Sequence, residues 1–340
     1  MVNPGQKNVL MEIFMRKILL ASTALVAVAG VSAASADGHI SFSGSADFTY
    51  TSISDDQTDN ATAGENGTNM TADSQLAASW STTTDTGLAV SVAYDVDANS
   101  GDWSIAGDWG TFTFDEGSEA MGTGMGDADS VSNMTFGMTP DYDGAEGIGG
   151  GEIAYSNTVG PISFAIGFGD PGTSDAANET SYGVSYSASV NGADVSIGYA
   201  AANAGASNTA VASTDLNATS MNVGVTVGSI GVAMAQNSTK TDRNDDNASG
   251  SGTTDMKSTN FGVTYAVSDS LTLEAASRAA TGTIAGDATY KYDESAYGVA
   301  YTIASGLSLT VSYSDFTQSG GSAITDTSGS ATMVDLSVSF

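Results

Sequence analysis

Between Glu116 and Gly151 the sequence reads "EGSEAMGTGMGDADSVSNMTFGMTPDYDGAEGIGGG", a stretch with seven carboxylates and no base. The acids are Glu116, Glu119, Asp127, Asp129, Asp141, Asp143 and Glu146. Pairs such as Asp127 with Asp129, or Asp141 with Asp143, offer hard oxygen ligands to calcium, which would relieve their mutual repulsion. Along a narrow wet passage the same groups would attract cations and turn anions away. An ordinary solvated loop with acidic decoration is the third reading. Neither Asp pair completes an EF-hand, because the Gly and terminal Glu of that loop are missing at the required spacing. "GTGMG" is no phosphate cradle, since it lacks the motif spacing and a following helix.

Other reactive chemistry is scarce. The chain has one histidine, His39, and no cysteine. A Ser or Asp mechanism with histidine as base would have only His39, at the head of the first strand pattern. The expectation is a protein that is not an enzyme and requires no cofactor, with calcium as the one candidate ligand.

Met15-Arg16-Lys17, the apolar run from Ile18 to Val31 and the small residues Ala34-Ser35-Ala36 together read as an export signal over 15–36. Residues 1–14 then read as an over-extended start, and 37–340 as one domain. Without Lys7, Arg16, Lys17 and Glu12, that domain holds five bases against 38 acids, a formal charge of about −33. No Lys or Arg occurs from Asp37 to Thr239. This argues against nucleic acid as a partner, since phosphate binding needs clustered bases. It would also repel anionic lipid headgroups unless divalent cations bridge the two. The lack of cysteine in an exported chain leaves stability to backbone pairing, packing or bound ions. No apolar run reaches the roughly 18 residues of a membrane helix, but strands of alternating pattern need only about ten each.

The elements that would position these carboxylates are strands, because apolar residues recur at every second position and the helical period is missing. The pattern opens with Ile40, Phe42, Ala46, Phe48 and Tyr50, passes through groups such as Leu88, Val90, Val92 and Tyr94, and closes on Val334, Leu336, Val338 and Phe340. Sixteen strands emerge. Short turns such as "TTTDTG", "GDWG", "NTVGP" and Asn191-Gly192 alternate with long polar connections at 52–72, 169–179, 201–219, 237–256 and 317–330. Sixteen strands enclose a lumen too wide for side chains to fill. The expected fold is therefore an all-β transmembrane antiparallel 16-stranded barrel, apolar side out, with Ser, Thr, Gly and Asp lining a wet channel. Tyr50, Trp80, Tyr94, Tyr199, Tyr265, Tyr313 and Phe340 are expected near strand ends as aromatic girdles. By strand parity Asp47, Asp95, Asp115, Glu152, Glu274 and Asp335 face the lumen, against one base, Arg278. A secreted calcium-binding solenoid would need tandem glycine-rich nonapeptides, which are absent.

The stretches "SWSTTTDTGLAVSVAYD", "GDWGTFTFDEGSEAM" and "YGVAYTIASGLSLTVSYSD", with the terminal Phe340, resemble Gram-negative general porins of the kind found in photosynthetic alphaproteobacteria. The resemblance implies a homotrimer in the outer membrane, reached through the periplasm, in contact with outer-membrane lipid and lipopolysaccharide. It implies that the loop after the fifth strand, about 116–151, folds inward as the constriction. It also implies that Phe340 serves as a signal read by the barrel assembly machinery. The sequence departs from the family's basic wall cluster, since its first eleven expected strands contain no base. Passive diffusion of small hydrophilic solutes and ions, with a cation preference, is the expected function. A substrate-specific outer-membrane channel is the alternative, although parity reveals neither an aromatic ladder nor a basic track.

Overall fold

The computed structural model describes residues 38–55, 67–96, 100–118, 151–169, 179–204, 213–244, 252–284, 288–320 and 324–340. They form sixteen strands: β1 (Gly38–Asp55), β2 (Gly67–Thr83), β3 (Ala89–Asp95), β4 (Ser100–Gly107), β5 (Gly110–Ser118), β6 (Gly151–Val159), β7 (Ile162–Gly169) and β8 (Glu179–Val190), then β9 (Ala193–Ala204), β10 (Ser213–Val227), β11 (Ile230–Asn244), β12 (Gly252–Ser268), β13 (Leu271–Ile284), β14 (Ala288–Ala304), β15 (Leu307–Gly320) and β16 (Ile324–Ser339). Each pairs antiparallel with its neighbours in sequence, and β16 returns to β1 in a closed barrel.

Alternation decides which side faces where. Val225, Val232 and Val263 stand side by side in register, and Val232 is 40% exposed. The opposite face of the same strands carries Gly224, Gly231 and Thr264, with Ser220 paired to Asn237 higher up. A soluble protein would bury the valines; here they form the outer surface, which suits hydrocarbon. Val232→Arg should therefore destabilise the barrel in lipid vesicles by about 2–4 kcal/mol, read from the urea unfolding midpoint. An unchanged midpoint would mean that this face does not meet lipid.

The strands run further than their apolar residues. The connections shrink to 56–66, 170–178, 205–212, 245–251 and 321–323, shorter than the 52–72, 169–179, 201–219, 237–256 and 317–330 expected from hydropathy. Backbone pairs such as Ser52↔Thr68 and Asn217↔Lys240 need no apolar side chain to form. Two corrections follow. The expected first eleven strands without a base do not survive, because β11 extends to include Lys240 and Arg243; Lys240 is exposed, with the outward parity of Val232 and Met234. The girdle residues Tyr50, Tyr199 and Tyr313 lie well inside their strands, at the edge of the apolar band. Beyond them the outer face continues with Ser52, Asn203 and Asp315.

One end of the barrel is made of tight turns. At Asn191-Gly192 both residues have positive φ, 54° and 83°, the handedness that matches strand twist in a two-residue hairpin. The last strand ends on this side too, with Val338 of β16 opposite Leu307, the first residue of β15. β16 pairs with β1 from Ser45↔Ser339 to Asp55↔Gly329. Gly44 and Phe340 then exchange two backbone hydrogen bonds of 2.9 and 3.0 Å. At the head of β1, ahead of this pairing, Ile40 and Phe42 stand opposite Trp80 and Ala78 of β2. The stagger between strands that closes a tilted barrel leaves this overhang.

Candidate functional site: the barrel interior

Residues opposite one another across the ladder share a face, so the interior is a set of rows running around the wall. Hydroxyls and amides dominate them. Ser41 and Ser79 lie 2.6 Å apart at their oxygens, Ser91 and Ser104 2.7 Å, and Ser220 donates to Asn237 Oδ1 at 2.7 Å.

Carboxylates are set into these rows. Asp47 faces Asp73 across β1 and β2, with Ser337 of β16 on its other side. In the adjacent inner row Asp335 faces Thr49 and accepts its hydroxyl at 2.7 Å. The seam therefore gathers Asp47, Asp73 and Asp335 on three neighbouring strands. Like charges directly opposite repel, which a wet, polar lumen tolerates and a packed core would not. Further round, Asp95 stands opposite Ala77 and Asp102 opposite Ala93. Asp194, near the turn end of β9, accepts the hydroxyl of Ser189.

The far wall holds the other charges. Glu274 of β13 is buried between Thr264 and Gly298. Arg278, two inner rows away on the same strand, stands between Asn260 of β12 and Glu294 of β14. Tyr292 donates to Glu294 Oε2 at 3.0 Å.

The expected site residues thus divide into three groups. Asp47, Asp95, Glu274, Arg278 and Asp335 occupy interior rows, and only Asp47 and Asp335 are neighbours. Asp115 and Glu116 lie in β5, and Glu152 in β6. Glu116 is therefore not part of a connecting loop, since β5 runs to Ser118, which pairs with Gly151 after a break in register. Glu119, Asp127, Asp129, Asp141, Asp143 and Glu146 lie outside the described residues, and so do both expected calcium pairs. Among the described residues no group of three or more His, Cys, Asp or Glu gathers as a metal site. His39 is exposed on β1 opposite Ser81.

Asp73, Asp102, Asp194 and Glu294 escaped the sequence reading. Parity finds each of them once the strands are carried past their apolar residues: Asp102 is out of phase with Trp103, and Glu294 with Tyr297.

A family model described as Gram-negative porin matches residues 21–339. A search of curated protein sequences finds no match. Among solved structures, a loop-deletion variant of OmpT, an outer membrane protein of Vibrio cholerae, is 15% identical with a TM-score of 0.65, covering 90% of this chain and 100% of that one. An anion-selective porin from Comamonas acidovorans is 12% identical with a TM-score of 0.66, covering 89% and 100%. A porin variant from Rh. blastica is 15% identical with a TM-score of 0.56, covering 88% and 100%.

Proposed function

The chain belongs to the Gram-negative porin family, and on that premise we propose that its barrel passes small hydrophilic solutes by passive diffusion and prefers cations. It is an outer-membrane porin, a transmembrane β-barrel of transport type. The fold does not decide the sign of selectivity, since a barrel of similar shape from Comamonas acidovorans is anion-selective. Lumen charge must decide it. One observation carries the cation preference: Asp47, Asp73, Asp95, Asp102, Asp194 and Asp335 line the interior rows, against two register positions held by bases among the described residues, Arg278 and, near the far end of β11, Arg243. The acids from Glu119 to Glu146 would add to the effect if that segment narrows the pore.

No chemical step belongs to this reading. Three barrels assemble as a homotrimer, and the export signal and Phe340 serve delivery and assembly. Calcium at Asp127, Asp129, Asp141 and Asp143 would lower the repulsion in that segment without being needed for conduction.

In a planar bilayer with a KCl gradient, the reversal potential should carry the sign of a cation-selective pore. The opposite sign would overturn the charge argument, and no conductance would overturn the pore.

A further inference from the structure

We propose that the outer surface of β12–β14 holds a phosphate group of an outer-leaflet phosphoglycolipid between Lys257 and Lys291. The inference rests on the outer-membrane reading and gives it a lipid site. Residues 37–340 contain three lysines and two arginines. The strand register sorts them by face. Lys240, Lys257 and Lys291 share the parity of Met234, Phe261 and Tyr297 on the membrane side, whereas Arg243 and Arg278 occupy lumen register positions. Lys257 stands opposite Thr281, and Thr281 opposite Lys291. The three form one row on neighbouring strands, with the two lysine Cα atoms about 10 Å apart.

Every residue of this row is exposed. Neither Lys257 nor Lys291 makes a hydrogen bond or an ion pair among the described residues. Their cross-strand neighbours are Ser238, Thr281 and Ser319, none of them an acid. The outward acids nearest by register are Asp255 and Asp293. Asp255 faces Lys240 across β11 and β12, and Asp293 lies one outward row nearer the apolar band, between Ala279 and Thr317. Asp315 is engaged by the Tyr313 hydroxyl at 2.6 Å. Two ammonium groups are thus left facing outward on a strongly acidic chain. Height identifies what they meet. Lys257 is four residues past Phe261 and Lys291 six past Tyr297, the last large apolar or aromatic residues facing outward on their strands. At about 3.3 Å per residue on strands tilted by about 40°, the lysines stand roughly 10–15 Å beyond those rings. Their stems reach back to the headgroup level by snorkelling. Both lie toward the end of the long connections, the extracellular side in barrels of this kind. A lipid phosphate there receives charge-assisted hydrogen bonds from two ammonium groups, with the Thr281 hydroxyl between them. The row also offsets, at one place on the wall, the repulsion between an acidic chain and anionic headgroups.

The test is the full chain in detergent micelles with EDTA, titrated with diphosphorylated lipid A and followed by native mass spectrometry. Dephosphorylated lipid A with the same acyl chains and inorganic phosphate are the controls. The parent chain should bind the diphosphorylated form about tenfold more tightly than the dephosphorylated one, and equimolar inorganic phosphate should not displace it. Lys257→Gln and Lys291→Gln should each weaken binding about fivefold, and the two together about twentyfold. Lys257→Arg with Lys291→Arg should bind like the parent, and Lys240→Gln should change affinity less than about twofold. Equal affinity in the parent and the double Gln variant would overturn the proposal, as would equal affinity for the dephosphorylated lipid. Binding that appears only when calcium replaces EDTA would transfer the role to Asp255 and Asp293, and displacement by inorganic phosphate would make the row a site for free anions; either result overturns the lipid site. A parent chain that does not insert into phosphatidylcholine vesicles carrying the same lipid A would overturn the outer-membrane reading, and the proposal with it.

Discussion

Gly44→Leu should prevent closure of the barrel. A Cβ at Gly44 would stand 2.8 Å from the carbonyl oxygen of Gln75 and 2.8 Å from the Phe340 ring. The ring can turn away, but the carbonyl belongs to the β1–β2 ladder and cannot move alone, so β1 must shift against β2 or β16. Either shift sacrifices seam hydrogen bonds, including the two between Gly44 and Phe340. In hydrocarbon no water replaces them, and each unmade bond costs several kcal/mol. The folded fraction in lipid vesicles, read by circular dichroism and protease resistance, should fall at least about tenfold. Removing Phe340 alone should do less, because β16 would still pair from Ser339 onward. Equal folding of Gly44→Leu and the parent chain would mean the seam does not close through Gly44.

Replacing Asp47, Asp73 and Asp335 together by Asn should cause the largest change in selectivity. The three sit on adjacent strands within two inner rows, so their potentials overlap at one patch of the lumen. The Debye length is about 10 Å at 0.1 M salt and about 3 Å at 1 M. The patch therefore acts on passing ions in dilute salt and is largely screened in concentrated salt. At 0.1 M KCl the preference for potassium over chloride should fall about fivefold in the triple variant. At 1 M the variant and the parent should nearly coincide. A reversal potential that ignores all three substitutions at 0.1 M would move the determinant elsewhere in the chain.

How much of this was legible in advance depended on which face a residue serves. Strand number and order were readable because lipid demands an apolar residue at every outward position, as at Val223, Val225 and Val227. Strand ends were not, because outside the hydrocarbon the ladder tolerates any side chain; Lys240 and Asp242 pair as regularly as Val232. The seam was legible as a pairing of β1 with β16, but its stagger was not. Stagger is a property of closure, and no single strand carries it. The interior charge was half legible: Asp47 and Asp335 follow from phase alone, whereas the meeting of Asp47 with Asp73, and of Arg278 with Glu294, requires the register between strands.

Because successive residues alternate between membrane and lumen, the two surfaces are specified by separate sets of positions in one chain. Val232 and Val263 can stay fixed while Asp47, Glu294 or Ala296 change, and no outward contact is disturbed. Permeation can then drift under selection at constant membrane fit, which reconciles the cation preference proposed for this barrel with a fold shared at 12% identity with an anion-selective porin.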